Sequence, residues 1–531
     1  MSFGFSSLDF SFEIELVSVW WNYSCLHLFS CFRTCCAFSD WATAVATRFV
    51  ERRPRVLPSR KVFNRAVCAQ ILENTAERSG QILGADLGRQ ILQATLDLPK
   101  RKELSYGQLM MFPRLQLLDL VTRRLGQNQP LRGVAVIGIQ HLLETTGSLL
   151  ESIVQMGVQP ADIFIAGKSY SVSPAVAERV KGAGINVIAP PSIRTWGGCT
   201  EQLAGTATQL WSVLRRSLHT GIRAVVVLDD GGFTLKSSAS RSLALPLTGV
   251  EQTTSGISAV ESAPPPFTVV DVAGSAAKIL LESRLIEQAV LRRIRKLEIW
   301  NSKEAVFGVA GVGNIGGALV EGLRSEKRNL LVYDSNPDAE LDWGVERCSR
   351  LQKLFESADV IFGCAGQDIL AQHNWWRNLK GAKVLASCSS RDVEFHTLLR
   401  EYATANPGPP SDPLATVSLK LPRGRLEILR GGCPVNFDGS PEGVPAQDIQ
   451  LTLALLLGGV VQAAEIGRDP SDKGPKVRML DPQLQEMLAS EWIRERGDEH
   501  PFARQRAGVF QDIRKIRFYS RPTVGAIAKV S

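Results

Sequence analysis

From about residue 130 onward, short apolar runs alternate with segments whose apolar residues recur at three- and four-residue spacing. The apolar runs predict strands and the spaced segments predict helices. In the first half of the chain, the pattern predicts strands at 134–138, 163–166, 185–188 and 224–228, and helices at 141–156, 174–183 and 201–219. Because strands that alternate with helices form parallel sheets, we predict a doubly wound α/β fold for this half.

The alternation continues beyond a proline-rich turn at 261–266 and a long charged helix at 273–299. Further strands are predicted at 305–310, 330–334, 360–363 and 384–388, and a strongly apolar helix at 448–464. Residues after 467 are polar, with helical segments and no clear site, whereas residues 62–126 carry apolar side chains at helical spacing. The chain therefore predicts two α/β lobes in succession.

Composition narrows the functional classes. The formal net charge of +8 is spread over 61 basic and 53 acidic residues, and 44% of the 531 residues are hydrophobic, as in ordinary globular proteins. Basic clusters at 52–55 and 292–296 lack interleaved aromatic residues, so we interpret them as solvated charges and expect no nucleic-acid partner. The 10 cysteines show no zinc-like spacing with histidines, which predicts no metal site and a reduced, cytoplasmic protein.

Residues 1–60 differ from the rest of the chain. They begin with a stretch rich in Phe, Ser, Trp and Cys that has neither a positively charged start nor an unbroken apolar run. These features argue against a signal peptide and against a membrane-spanning helix. We interpret this segment as a poorly structured extension and expect no membrane partner, with a membrane anchor as the alternative hypothesis.

The predicted strand at 305–310 is followed by a G-x-G-x-x-G fingerprint that opens a helix. The candidate cofactor contacts in this loop are Gly311, Gly313, Asn314, Ile315 and Gly316. In such a loop Gly311 allows the tight turn, Gly313 lets the backbone approach a pyrophosphate, and Gly316 lets the helix pack against the strand. The N–H groups of the first helical turn would face the phosphates.

The strand at 330–334 ends in Asp334, about twenty residues beyond the glycines. A carboxylate at this place binds the ribose hydroxyls and repels a 2′-phosphate, so the cofactor is predicted to be NAD rather than NADP. Strand, glycines, helix and acid together favour a dinucleotide site over a glycine-rich turn without ligand. S-adenosylmethionine-dependent methyltransferases, which also use a glycine-rich turn and an acid, are a further alternative.

Other motifs follow a fixed order along residues 131–464. They are His141 at a predicted helix start, Leu228-Asp229-Asp230-Gly231-Gly232, Glu251-Gln252-Thr253-Thr254-Ser255-Gly256, the Asp-Val-Glu turn at 392–394, and Pro434-Val435-Asn436-Phe437. With the glycine loop and Asp334, they resemble the S-adenosylhomocysteine hydrolase family. The resemblance implies that Thr253, Thr254, Ser255 and Asn436 contact NAD, and that His141 and Asp230 contact substrate.

The family reaction needs bound NAD to oxidise a ribose hydroxyl, together with a lysine, acids and histidines that move protons. This chain departs from the family at the aligned catalytic positions, which hold Gln252, Ser275, Ile279, Ser390 and Val444. Lys278 lies one helical turn from Ser275 and could substitute for the lysine, although no acid is expected beside it. General acid–base groups each contribute about 10²–10⁴-fold, so ordinary hydrolase activity is not expected.

The favoured architecture is a two-lobed α/β fold, in which an NAD-binding Rossmann domain is inserted in a doubly wound substrate-type domain. The segments are an extension at 1–60, the substrate-type domain at 61–285, the NAD domain at 286–430, a return segment at 431–470 and a helical tail at 471–531. The partner is expected to be a small, nucleoside-like ligand, and a homo-oligomer is implied by the resemblance alone. Three hypotheses stay open: a divergent NAD-binding homologue, an active hydrolase using His141, Asp230 and Lys278, and a non-catalytic NAD-dependent regulator.

Overall fold

The computed structural model describes residues 112–237, 243–337, 339, 344–469 and 476–496. The predicted extension at 1–60 and the helical pattern before residue 112 lie outside these ranges. The described part contains two seven-stranded sheets. Each sheet belongs to one lobe, as the alternating pattern predicts.

The first lobe is built on a wholly parallel sheet with the order β14-β6-β5-β4-β1-β2-β3. Its strands are β1 (Val134–Leu142), β2 (Ile163–Val172), β3 (Asn186–Ile188), β4 (Ala224–Asp229), β5 (Leu247–Glu251), β6 (Thr268–Asp271) and β14 (Val477–Met479). Its helices are α1 (Gln116–Leu125), α2 (Glu144–Gln155), α3 (Pro174–Gly182), α4 (Cys199–Ser217), α5 (Phe233–Lys236), α6 (Thr254–Ser262), α11 (Ala446–Arg468) and α12 (Pro482–Arg496).

Helices cover both faces of this sheet. On one face, α1, α2 and α11 pack over the strands, and α4 packs over the other face. Helix α11 has the length and hydropathy of a membrane span, but 78% of its apolar window is buried inside the protein. It is therefore explained as a core helix of the first lobe.

The second lobe follows the long helix α7 (Ala276–Ile294) and has the strand order β12-β13-β11-β10-β7-β8-β9. Only the β12–β13 pair is antiparallel among the described pairs. Its strands are β7 (Val306–Ala310), β8 (Asn329–Tyr333), β9 (Glu346–Arg347), β10 (Val360–Gly363), β11 (Lys380–Ser387), β12 (Val417–Leu421) and β13 (Arg423–Ile428), and its helices are α8 (Asn314–Ser325), α9 (Leu351–Ser357) and α10 (His396–Ala405). This is a Rossmann-type lobe.

The fold confirms the predicted α/β class with an inserted second lobe, because the chain returns through α11 and β14 to the first sheet. Two local predictions are wrong. His141 does not begin a helix: it lies in β1, and α2 begins at Glu144. The tail after residue 470 is not only helical, because Val477–Met479 pairs with β6 and extends the first sheet.

Candidate functional site

The strand order of the first sheet reverses between β1 and β4, since β2 and β3 lie on one side and β5 and β6 on the other. Ligands of open α/β sheets bind at such a topological switch point, outside the carboxyl ends of the strands. Here these ends carry buried polar side chains: Lys168 and Ser171 on β2, Asp230 directly after β4, and Gln252 directly after β5. The switch point is therefore the candidate ligand site of this lobe.

Asp230 is the centre of this polar cluster. One carboxylate oxygen, Oδ1, pairs with the ammonium group of the fully buried Lys168. The other, Oδ2, lies 3.0 Å from His141 Nε2 and accepts a hydrogen bond from the Gln252 side-chain amide. Burial opposes ionisation of Asp230, but Lys168 and His141 outweigh it and hold the pKa of Asp230 below its usual range. Asp230 is thus an ionised carboxylate with donors on both oxygens.

His141 is the member of the cluster that reaches solvent, with 23% of its side chain exposed. Burial lowers the pKa of His141, although Asp230 opposes this effect, so the imidazole is neutral near pH 7. Because the Asp230 carboxylate can only accept, Nε2 carries the proton and Nδ1 is the acceptor. The Ser171 hydroxyl lies 2.5 Å from Nδ1 and donates to it. His141 is therefore a base whose accepting nitrogen is already oriented.

Beneath the cluster, Glu251 holds two loops together. Its carboxyl group accepts hydrogen bonds from the backbone of Gly231, Gly232 and Thr253, and from the Thr253 hydroxyl. Burial, with the nearby charges of Asp229 and Asp230, raises the pKa of Glu251 to about 8. Its role is to fix the loops after β4 and β5 in one arrangement.

The sequence did not predict a role for Lys168, because a lysine within an apolar strand gives no periodic signal and belongs to none of the motifs. Lys278, which was predicted as a catalytic candidate, lies instead on α7 in an ion pair with Glu282, one helical turn away. The expectation that no acid stands beside Lys278 is therefore wrong. Of the three predicted catalytic residues, the structure brings His141 and Asp230 into direct contact and gives Lys278 a different partner.

The second sheet reverses its order between β7 and β10, and the glycine loop lies at that reversal. Gly311 has a φ of 95°, and a Cβ there would lie 2.8 Å from the backbone of Cys364. A Cβ on Gly316 would lie 1.9 Å from the Gly311 carbonyl oxygen. Both glycines are therefore required by the fold itself, as the fingerprint predicts.

Gly313 is different. It is exposed, its φ is −68°, and a Cβ there would meet nothing within 4 Å. It is the N-cap of α8 and offers no side chain to the first-turn N–H groups, which include those of Asn314, Ile315 and Gly316. The first turn is thus open to an anion, with space directly in front of it.

Asp334 lies directly after β8 and contacts the glycine loop. Its carboxylate accepts hydrogen bonds from Val312 N at 2.7 Å and from Asn336 N at 2.8 Å. Each carboxylate oxygen has more than one accepting position, and the side chain is partly exposed. It remains able to accept from ligand hydroxyl groups beside the loop.

The carboxyl ends of the two sheets approach each other. Ser390, which follows β11, lies 3.1 Å from Ser255 between the two hydroxyl oxygens, and its carbonyl oxygen accepts from the Tyr170 hydroxyl. The return segment makes a second connection: Val435 N donates to Ser387 O at the end of β11, and the Phe437 ring lies 4.4 Å from the His141 ring.

The remaining predicted cofactor contacts lie along this junction. Asn436 stands between the two contacts of the return segment and is buried. Thr254 is exposed, whereas the Thr253 hydroxyl caps α6 by accepting from Gly256 N at 3.0 Å. The junction thus brings Ser255 and Asn436 to the second lobe, and the Thr253 hydroxyl serves the fold.

Three of the positions at which the chain departs from the family it resembles have local roles. Ser275 caps α7, since its hydroxyl accepts from Lys278 N. Ile279 lies half-buried on the same helix, and Val444 packs against Leu285 and Ala289. These contacts are helix capping and packing, and they show no proton-transfer group.

Two curated relatives, uncharacterized proteins of Mycobacterium tuberculosis strains CDC 1551 / Oshkosh and ATCC 25618 / H37Rv, are each 30% identical to the chain over 363 residues. The match covers 67% of this chain and 69% of each relative. No family model matches the chain.

Among solved structures, D-lactate dehydrogenase from Escherichia coli is similar at 20% identity and a TM-score of 0.23, over 45% of this chain and 76% of that one. D-2-hydroxyisocaproate dehydrogenase is similar at 14% identity and a TM-score of 0.26, over 56% of this chain and 93% of that one.

Proposed function

The chain belongs to the family of these mycobacterial proteins, and we propose that it binds NAD in its second lobe and a small, nucleoside-like ligand at the switch point of its first lobe. The observation that carries the proposal is the junction itself. The return segment connects the end of β11 to His141 through Val435, Asn436 and Phe437. A ligand that contacts His141 would lie beside a cofactor held at the glycine loop.

The residues of the second lobe fit a dinucleotide. The exposed Gly313 leaves room for a pyrophosphate in front of the α8 N-terminus, where free N–H groups and the helix dipole favour negative charge. Asp334 would accept the ribose hydroxyls of the adenosine half and repel a 2′-phosphate. The amide of Asn436 would contact the nicotinamide end.

When bound, NAD would supply a hydride acceptor. The chain's own contribution would be a base and its orientation. His141 accepts a proton at Nδ1, either through the Ser171 hydroxyl or directly from a ligand hydroxyl that takes its place. Asp230 keeps the opposite nitrogen protonated and stabilises the imidazolium that forms.

Ordinary hydrolysis of S-adenosylhomocysteine is not expected from this site. The amide of Gln252 donates to Asp230 and cannot remove a proton. Lys278 is engaged with Glu282, and Ser390 supplies only a hydroxyl where the family has a histidine. These differences support a divergent homologue, which would keep a cofactor site but lack the glutamate, lysine and later histidines that the resemblance to the hydrolase family implies.

The test uses the purified full-length chain. Protein denatured after purification is analysed for released NAD, and the apoprotein is titrated with NAD and NADP by calorimetry. We expect NAD to bind at least about tenfold more tightly than NADP, since one charge repulsion of about 1.4 kcal/mol suffices for that ratio. Failure of both nucleotides to bind would refute the proposal.

A second measurement separates the three hypotheses. NAD-loaded protein is incubated with S-adenosylhomocysteine and then with a panel of nucleosides, while the absorbance of reduced cofactor and the release of adenosine are followed. Cofactor reduction by a nucleoside without hydrolysis supports the divergent enzyme. Rapid adenosine release would favour an active hydrolase, and ligand binding without reduction would favour a regulator.

A further inference from the structure

A pocket of about 270 Å³ lies beside the turn that follows Asp230. Residues from both lobes line it, and those that matter here are Gly231, Gly232, Phe233, Lys236, Ala259 and Arg391. Gly231 and Gly232 have φ values of 107° and 77°, so the turn keeps the left-handed backbone that glycine favours and extends no side chain into the space. The pocket therefore adjoins the cluster around Asp230 but is separate from the glycine loop.

Two cationic side chains reach this pocket. Lys236 ends α5 in the first lobe, and Arg391 follows β11 in the second. Within the described ranges, neither side chain forms a salt bridge, and none of the lining residues is acidic. By contrast, Arg377 of the second lobe forms a salt bridge with Glu401. A pocket with two uncompensated positive charges favours an anionic occupant.

Arg391 gives a more specific indication. Its Nε atom is buried and has no hydrogen-bond partner among the described residues, while its guanidinium group lies 5.6 Å from the centre of the Phe233 ring. A buried N–H without an acceptor destabilises the fold, and an acceptor bound in the pocket would satisfy it. The backbone N–H groups of Gly231 and Gly232 already donate to Glu251. An anion in the pocket must therefore be bound by the side chains of Lys236 and Arg391.

We propose that this pocket binds the oxyanion of the small ligand, a carboxylate or a phosphate, between Lys236 and Arg391. The volume exceeds that of one oxyanion, and Phe233 and Ala259 supply apolar walls for an organic body. The inference rests on the proposed function in one respect, namely that the ligand extends from the Asp230 turn toward this pocket. Because the two cations come from different lobes, the bound anion would also hold the lobes together.

The experiment is calorimetric titration of the full chain at low salt with two probes, inorganic phosphate and propionate. The variants are Lys236→Gln and Arg391→Gln, with Lys303→Gln as the matched control, because Lys303 is an exposed lysine in the loop before β7. We expect each probe to bind the Lys303→Gln control as tightly as it binds the wild-type chain. Each pocket variant should bind about tenfold more weakly, the loss expected for one charge-assisted hydrogen bond, and added salt should reduce binding further.

The two probes distinguish the sources of the oxyanion: tighter phosphate binding indicates a phosphorylated ligand, and tighter propionate binding a carboxylic acid. Wild-type-like binding by both pocket variants, or no binding of either probe to the wild-type chain, overturns the proposal. Lys236 is exposed, so its variant should fold and decides the result even if Arg391→Gln does not fold. NAD titration of the same samples separates the two proposals. A wild-type chain that binds NAD but neither oxyanion probe refutes only this one.

Discussion

Replacement of Gly313 by alanine isolates cofactor binding from folding. The three glycines of the loop differ in what a methyl group would meet, because added Cβ atoms on Gly311 and Gly316 would overlap backbone atoms, whereas one on Gly313 meets nothing within 4 Å. The φ of −68° at Gly313 is also open to any residue. The fold therefore does not require glycine there, and a loss of NAD binding in this variant would report a ligand that approaches the backbone.

The expected energies follow from this geometry. Alanine at the N-cap of α8 costs about 0.5–1 kcal/mol relative to a residue suited to that position. Alanine also lowers the conformational entropy of the unfolded chain, which stabilises the folded state by about 0.4–1 kcal/mol. The net change in the free energy of unfolding should therefore be near zero for Gly313→Ala. For Gly316→Ala, overlap with the Gly311 carbonyl should destabilise the fold by about 1–3 kcal/mol or more.

The effect on NAD should be much larger than the effect on folding. A methyl group at Gly313 occupies the space in front of the first-turn N–H groups, so at least one hydrogen bond to the pyrophosphate is lost. Hydrogen bonds to charged groups contribute about 1.5–3 kcal/mol, which corresponds to about 10- to 150-fold in the dissociation constant. Gly313→Ala should therefore weaken NAD binding by at least about tenfold.

Urea denaturation measures the free energy of unfolding, and calorimetric titration measures the dissociation constant for NAD. Gly182→Ala is the matched control, since Gly182 ends α3 in the other lobe and a Cβ there also meets nothing within 4 Å. It should leave NAD affinity unchanged and raise the free energy of unfolding by no more than about 1 kcal/mol, since alanine lowers the entropy of the unfolded chain. Wild-type NAD affinity in a folded Gly313→Ala variant would show that this loop does not hold the pyrophosphate.

Three further predictions concern single charged groups. Asp334→Asn should shift the NADP-to-NAD affinity ratio toward NADP by about tenfold, measured by paired titrations, because the charge that repels a 2′-phosphate is removed; an unchanged ratio would remove Asp334 from the ribose site. Lys168→Met should destabilise the fold by about 3–5 kcal/mol in urea denaturation, since Asp230 is left as an uncompensated buried charge, and adding Asp230→Asn should restore most of that loss. Burial raises the pKa of Glu394 to about 7. The folded state therefore binds this proton more tightly than the unfolded state, and the free energy of unfolding falls as pH rises from about 4.5 to 7. Glu394→Gln should reduce that fall by up to about 3 kcal/mol, and an unchanged dependence of stability on pH would contradict this reasoning.

Much of the fold could be predicted from the sequence because its signals are periodic. The strands at the centre of each sheet are apolar runs buried on both faces, and the glycine loop has a fixed spacing set by backbone sterics. The end of β1 was harder to predict. His141 lies within the strand, and its side chain contacts Asp230 and Ser171, which neighbouring strands bring to it.

The site could be predicted only where a motif is local. Asp230 follows its strand in a recognisable order, but Lys168 is 62 residues away from it in the sequence and meets it only because β1 stands between β2 and β4. The pairing of Lys278 with Glu282 follows the ordinary four-residue spacing of a helix and was available from the sequence. The contact between Ser390 and Ser255 could not be predicted from the sequence, since the two residues belong to different lobes.

Gln252 and Lys168 are physically linked, because both contact Asp230. Glu251 is held in its protonated form near neutral pH by burial and by its acidic neighbours. Asp230 is then a carboxylate balanced by one lysine, and an additional glutamate at position 252 would place a second negative charge against it without another cation. An amide avoids that repulsion and donates a hydrogen bond instead. Within this cluster Asp230 already has a donor on each oxygen. Under the proposed function, a proton leaving the ligand would therefore go to His141, whose Nδ1 is held as an acceptor.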